Sequence, residues 1–178
     1  MFGLSLLMMN SMHVVQVTHL HHHKHCLNEY DVEGHCAKMP FYEAILYGPL
    51  FTIYMHKNAW KLGSQYQRKW IALEVTGEII FLIFALTSGI LILEIFVLLM
   101  LLANCLTGFF CVWLVHYGCD GIKKVSRTMR SSIVNKITMN MLLHVEHHLF
   151  PQVPTYNLGK LAQRIDKEAE KFRQNLVF

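Results

Sequence analysis

The 178-residue chain is long enough for one domain, and its composition is too apolar for an ordinary soluble one. Apolar residues make up 53% of the chain, charged residues only 16%, and the mean hydropathy is +0.32. The net charge of +4 forms no nucleic-acid-binding stripe, and the five cysteines, odd in number and without a CxxC pair, exclude a disulfide framework or a zinc ribbon. We therefore expect an all-α integral membrane protein.

The first apolar run, residues 2–17, contains several polar side chains and is slightly shorter than the roughly 20 residues of a membrane crossing. Half a span and a segment in the plane of the membrane are both compatible with it. A second apolar run, residues 39–55, contains Pro40, Glu43 and Pro49, and this pattern favours an interfacial or re-entrant segment.

Two segments share the spacing HxxHH. Residues 19–23 read HLHHH and residues 144–148 read HVEHH. On a helix, positions i, i+3 and i+4 lie on one face, so each segment can direct three imidazoles to one point. Imidazoles without thiolates suit iron, zinc or copper, and six or seven histidines are too many for one ion. The repeat predicts a centre of two metal ions shared by both segments.

A polar stretch, residues 24–38, follows the first box and contains Glu29, Asp31 and Glu33. The simplest interpretation is a solvated loop. The functional alternative is that one of these carboxylates accepts a hydrogen bond from the outer nitrogen of a metal-bound imidazole and fixes its tautomer.

Residues 71–115 contain no lysine, arginine or histidine, which predicts two membrane spans joined by a turn near residues 87–89. We expect the three carboxylates in this segment to be interfacial rather than catalytic: Glu74, Glu78 and Glu94. Basic residues flank both ends of the hairpin and are absent from its tip, so the positive-inside rule predicts that both ends, and both boxes, are cytoplasmic. His116 ends the second span on that side and is a further candidate ligand.

The rest of the chain, residues 116–178, is predicted to be a cytoplasmic region that carries the last box. A helix is expected over residues 133–148, ending before Pro151. A second, amphipathic helix is expected beyond it, on the membrane surface or against the metal domain, with apolar residues at Leu158, Leu161, Ile165, Phe172 and Leu176.

These motifs together resemble the membrane fatty acid desaturase superfamily. The most specific part of the resemblance is the string HVEHHLFPQVP at residues 144–154, and the likeness extends over residues 18–165, including a histidine before the last box. The resemblance implies one desaturase-like domain over residues 1–178 with two iron ions and O₂ as co-substrate. The implied iron ligands are His19, His22, His23, His116, His144, His147 and His148.

The resemblance also implies a membrane lipid or acyl substrate and an electron donor such as cytochrome b5 or ferredoxin. It leaves open whether the membrane is the bacterial inner membrane or the endoplasmic reticulum. A hydroxylase or ketolase acting on a carotenoid, sterol or alkane is the alternative, because the boxes define the oxidant and not the substrate.

The chain departs from the family pattern at two points. Members of the family have a further box, HxxxH, upstream of the first HxxHH, and His13 does not provide it. Some members also have an asparagine four residues before the extra histidine, where this chain has Val112. We therefore expect an N-terminally incomplete desaturase, with an inactive, metal-binding remnant as the second alternative.

Overall fold

The computed structural model describes residues 1–168, which are 73% helical and contain no β-strand, so the all-α prediction is confirmed. A 3-10 turn, Gly34–Lys38, and a π-helical turn, Gly108–Trp113, interrupt the α-helices. The α-helices of the described residues are α1 Phe2–Met8, α2 Met12–His25, α3 Phe41–Leu46, α4 Gly48–Leu62, α5 Gln65–Thr87, α6 Leu91–Thr107, α7 Leu114–His116, α8 Ser132–Ile137, α9 His144–Leu149 and α10 Thr155–Glu168.

Two segments, Gln65–Thr87 and Leu91–His116, are long and apolar enough to cross a membrane. In their most apolar windows only 17% and 22% of the residues are buried within the chain. The core helix of a soluble protein would bury most of such a surface. The turn between the segments contains Gly89 with a φ of +68°, in the left-handed region that favours glycine, as the sequence predicts for this hairpin tip.

The apolar run of residues 2–17 forms two helices that meet at a break. Met9 ends α1 with a φ of 48°, and the Ser11 hydroxyl caps α2 by accepting a hydrogen bond from the Val14 amide. Asn104 of α6 donates to the carbonyl oxygens of Met8 and Met9 at 3.0 and 2.9 Å. A side chain of the second span therefore satisfies backbone groups that the break leaves without helical partners.

Glu74 is not interfacial, and that sequence prediction is wrong. Its side chain is fully buried, and it accepts hydrogen bonds from the Ser11 hydroxyl at 2.6 Å and the His13 amide at 3.1 Å. It also pairs with His13 Nδ1 at 2.8 Å, and the His13 ring stacks on Trp70. The carboxylate is tolerated inside the fold because the first turn of α2 supplies it with three donors.

The second apolar run folds as α3 and α4, and α4 packs against both α2 and α6. This packing is close because of two glycines. A Cβ atom at Gly48 would overlap the carbonyl oxygen of Cys105, and one at Gly108 would lie 2.8 Å from the Phe51 ring. Small residues at such crossings let apolar helices approach one another closely. Helix α4 thus contacts both α6 of the hairpin and α2, which carries the first box.

The single helix predicted over residues 133–148 is wrong. The structure has two short helices, α8 and α9, because Met139 and Asn140 adopt positive φ angles of 49° and 63° between them. Left-handed residues cannot continue a right-handed helix. The break turns the chain so that α9 starts directly at His144.

Helix α10 has an apolar face that is buried against the chain rather than left for a membrane. Leu158, Ala162 and Ile165 are buried, and the first two form one cluster with Leu143, the residue before α9. The sequence left two locations open for this helix, the membrane surface and the region that carries the last histidine box. The structure places α10 against that region. Phe172 and Leu176 lie outside the described residues.

Replacing Glu74 with alanine would leave three buried donors without an acceptor. We expect Glu74→Ala to lower the free energy of unfolding by about 3 kcal/mol, measured by thermal unfolding in detergent. The matched control is Glu94→Ala in the first turn of α6, which removes only a favourable contact with the helix dipole, about 0.5 kcal/mol. Equal losses in both variants would contradict the role of Glu74 as the buried acceptor for Ser11 and His13.

Candidate metal centre

Three parts of the fold deliver histidines to one place. Helix α2 carries the first HxxHH box, helix α9 carries the second, and α7 ends the second membrane-length segment with His116. The rings of the two boxes contact one another, for example His19 with His147 and His23 with His148. The seven histidines proposed from the sequence are thus brought together in space, and they divide into two groups that the sequence did not indicate.

The first is a three-histidine group made of His19, His23 and His147. Its Nε2 atoms are mutually close. His19 and His147 are separated by 3.0 Å, His23 and His147 by 2.9 Å, and His19 and His23 by 3.1 Å. Each ring is only partly buried. Two of these residues come from one turn of α2 and the third comes from α9.

The second is a four-histidine group made of His22, His116, His144 and His148. Its Nε2 atoms form a closed ring of contacts. Around the ring, His22 lies 3.2 Å from His116, His116 lies 3.0 Å from His144, His144 lies 3.2 Å from His148, and His148 lies 3.4 Å from His22. Three of the four residues are buried, so this group is more shielded than the first.

These separations fit nitrogens that share a metal ion. Two imidazole nitrogens at 2.0–2.1 Å from an ion and 90–110° apart would be about 2.9–3.4 Å from each other. The observed separations fall within that range in both groups. The donor set is therefore suited to two ions with nitrogen ligands, one in each group.

Outer hydrogen bonds direct three of the rings. The Nδ1 atom of His22 lies 2.8 Å from Asp31, that of His19 lies 3.0 Å from Glu33, and that of His116 lies 3.0 Å from the carbonyl oxygen of Val125. Each partner can only accept, so the proton resides on Nδ1 and the lone pair of Nε2 faces the group. The structure therefore contains the carboxylate contact that the sequence left as an alternative, at Asp31 and Glu33, whereas Glu29 is exposed.

Asp31 is held rigidly for this role. Its Oδ2 atom also accepts from the Leu27 amide at 2.7 Å, and its Oδ1 atom accepts from the Gly34 amide at 2.9 Å. The carboxylate is fully buried, and a Cβ atom at Gly34 would overlap it. The loop after the first box is thus folded around Asp31, and it is not simply solvated.

Burial keeps most of these imidazoles neutral. Burial, together with the neighbouring histidines, lowers the pKa of His23 to about 3 and that of His147 to about 4. Burial and neighbouring histidines also lower the pKa values of His144 and His148. For His19, burial lowers the pKa, but the hydrogen bond and charge of Glu33 outweigh it and the net shift is upward. Neutral imidazole is the form that binds metals.

A π-helical turn sets the direction of His116. The turn, Gly108–Trp113, directly precedes α7 and changes the direction in which side chains of the last turn of the span point. Two hydrogen bonds to the segment that follows the first box hold it, one at each end of the turn. The Cys36 thiol donates to the carbonyl oxygen of Gly108 at 3.3 Å, and the Trp113 indole donates to that of Met39 at 2.9 Å. Apolar composition alone gave no signal of this turn.

The remaining histidines lie outside both groups. His13 pairs with Glu74, and His56 bonds to the carbonyl oxygen of Thr52. The rings of His21 and His25 contact each other at a tilt, with ring centroids 4.4 Å apart. His35 is exposed. None of these five fits an HxxHH position, so the spacing distinguishes them from the six box histidines. His116 is a candidate because it ends the second membrane-length segment.

A cavity of about 280 Å³ adjoins the centre. His19, His144 and His147 form part of its wall, and most of the remaining lining is apolar. Residues from α2, α4, the π-helical turn and α10 contribute this lining, among them Val14, Phe51, Met55, Val112 and Leu158. A nonpolar chain in this cavity would lie directly beside the histidine groups.

Comparison with known protein families agrees with this geometry. The family model described as fatty acid desaturase matches residues 1–177. No curated protein sequence and no solved structure gives a significant match to the chain. Since the family model covers nearly the whole sequence, the chain belongs to the fatty acid desaturase family.

Proposed function

We propose that the protein is a di-iron, O₂-dependent desaturase that introduces a double bond into the acyl chain of a membrane lipid or related substrate. The observation that carries the proposal is the pair of histidine groups, of three and four imidazoles, beside an apolar cavity. Family membership supports the same reaction class.

The histidines supply the ligands in this proposal. His19, His23 and His147 would hold one iron ion, and the four-histidine group would hold the other. Bound iron would supply the activation of O₂ that removes two hydrogens from adjacent carbons. The overall reaction consumes one O₂, two electrons and two protons, and it releases two molecules of water with the alkene. A small redox protein such as cytochrome b5 or ferredoxin would deliver the electrons.

The protein's own residues orient the ligands and the substrate. Asp31, Glu33 and the Val125 carbonyl fix three imidazole tautomers, so these rings do not reorient when a metal binds. The apolar lining of the cavity favours a hydrocarbon over water, and Val14 and Met55 belong to it. Excluding water also protects an oxidising centre from side reactions.

The membrane orientation is part of the proposal. The two apolar segments would cross the membrane as a hairpin, with basic residues at the ends that carry the histidines. By the positive-inside rule, the centre would face the cytoplasm, where a soluble or membrane-anchored electron donor can reach it. The acyl chain would enter the cavity from the neighbouring leaflet.

The reaction is tested by product analysis. The full coding sequence that contains this chain should be expressed in a host with a suitable electron donor, and its lipids profiled by mass spectrometry. New double bonds in acyl chains are the expected result. Hydroxylated or keto products would replace the proposal with the alternative oxygenase reaction, and an unchanged lipid profile with iron bound would contradict both.

Replacing His147 should remove iron. Its Nε2 atom lies within 3.0 Å of two other ligand nitrogens, so His147→Ala opens the three-histidine group. We expect the iron content to fall from about two ions per chain to about one or fewer, measured by plasma emission spectrometry. His56→Ala is the control, because His56 bonds only to a helix carbonyl among the described contacts. Full iron content in His147→Ala would refute the assignment.

Replacing Asp31 should weaken iron binding without removing a ligand. All three partners of Asp31 donate hydrogen bonds to its carboxylate. In Asp31→Asn, the NH₂ group that replaces one carboxylate oxygen would face a donor, and that hydrogen bond would be lost. We expect the metal affinity to fall roughly 10- to 100-fold, measured by competition with a chelator. Glu29→Gln makes the same charge change at an exposed site and should leave the affinity unchanged. An equal effect in both variants would indicate a general charge effect instead.

A further inference from the structure

A short segment, residues 125–130, links the two halves of the four-histidine group, and we call it the strap. At its start, the carbonyl oxygen of Val125 accepts from Nδ1 of His116 at 3.0 Å. The backbone amide of Arg127 donates to the carbonyl oxygen of Val115 at 2.7 Å, in the last turn of the membrane-length segment. The strap is therefore fixed to the end of the second span and to the ring of His116.

At its other end the strap contacts the second histidine box through Glu146. This residue lies between His144 and His147 in α9, and it is fully buried. The Thr128 hydroxyl donates to Oε2 of Glu146 at 2.7 Å, and Nη2 of Arg130 donates to Oε1 at 2.6 Å. Both carboxylate oxygens are thus engaged by strap residues and are directed away from a ligand role.

Arg130 in turn is held by α10. Its Nε and Nη2 atoms both donate to the Asp166 carboxylate, at 2.9 and 2.8 Å, and its Nη1 atom donates to the Thr128 hydroxyl at 2.8 Å. A planar guanidinium can bond three partners in this way, whereas a lysine ammonium cannot match the fork. The Asp166 end of α10 therefore determines where Arg130 lies, and Arg130 determines where Glu146 lies.

We propose that Arg130, Glu146 and Asp166 are positioning residues that set the geometry of the metal centre from outside the ligand set. The strap links His116 on the membrane hairpin to the helix that carries His144, His147 and His148. The ion pair between Arg130 and Asp166 holds the strap in position. Without Arg130, a buried carboxylate would remain within the histidine box without a compensating charge. Glu146 would then relax, and α9 with its three ligands would move with it.

The inference rests on the proposed metal centre but does not depend on the substrate or on the reaction product. Its test therefore uses metal binding and spectroscopy rather than desaturase activity. The full-length protein is purified in detergent and titrated with Co²⁺, whose visible absorption reports the number and geometry of its ligands. Thermal unfolding without metal is measured in parallel.

The variants are Arg130→Gln, Arg130→Lys, Glu146→Gln and Asp166→Asn. We expect Co²⁺ affinity to fall roughly 10- to 100-fold in Arg130→Gln and Glu146→Gln, with an altered Co²⁺ spectrum, and to fall less in Arg130→Lys and Asp166→Asn. The double variant of Arg130→Gln with Asp166→Asn should bind no more weakly than Arg130→Gln alone, because both changes act through one contact. Asp120→Asn is the control, since Asp120 is an exposed carboxylate that accepts from the backbone amides of residues 122–124, outside the strap.

Wild-type Co²⁺ affinity and spectrum in all four variants would overturn the inference. Losses of affinity no larger than the loss in the control Asp120→Asn would overturn it as well. If Arg130→Gln does not fold, Asp166→Asn still decides the matter, because it alters the clamp from the partly exposed α10 side. Failure of the wild-type protein to bind Co²⁺ would refute the metal centre itself, and that outcome is distinct from the others.

Discussion

The close approach of seven imidazole nitrogens is the constraint on which the rest of this structure depends. Neighbouring Nε2 atoms lie 2.9–3.4 Å apart across the two histidine groups, separations that suit nitrogens sharing a metal ion. The relative positions of the three parts of the chain that carry these histidines must therefore be set to within less than the width of a side chain. Much of the remaining structure can be understood as the means by which α2, α9 and the end of the second span are held in register.

Each of these elements is fixed by a buried polar contact rather than by apolar packing alone. Glu74 and Asn104 of the hairpin satisfy the backbone at the break before α2. Asp31 closes the loop after α2, and Glu146 ties α9 to the strap. Apolar contacts in a membrane environment discriminate weakly between registers, whereas an unsatisfied buried donor or acceptor is costly. The polar contacts therefore specify which arrangement forms.

The spacing of histidines and the hydropathy pattern predicted much of this protein. HxxHH on a helix fixes which imidazoles share a face, and a long run without basic residues fixes a helical hairpin, because both properties depend only on local periodicity and composition. The same local rules failed for residues 133–148, where left-handed Met139 and Asn140 divide the helix. They also failed for Glu74, whose partners Ser11 and His13 are more than 60 residues away.

By itself, the sequence determined the family, the helical class and the seven histidines that could converge. The tertiary structure alone decided how these histidines divide, since His22 of the first box joins His116 rather than its own neighbours His19 and His23. It also decided that Asp31 and Glu33 contact His22 and His19, and that Glu146 contacts Thr128 and Arg130 of the strap. These assignments depend on contacts between residues distant in the chain, which helix packing selects and which a local pattern does not contain.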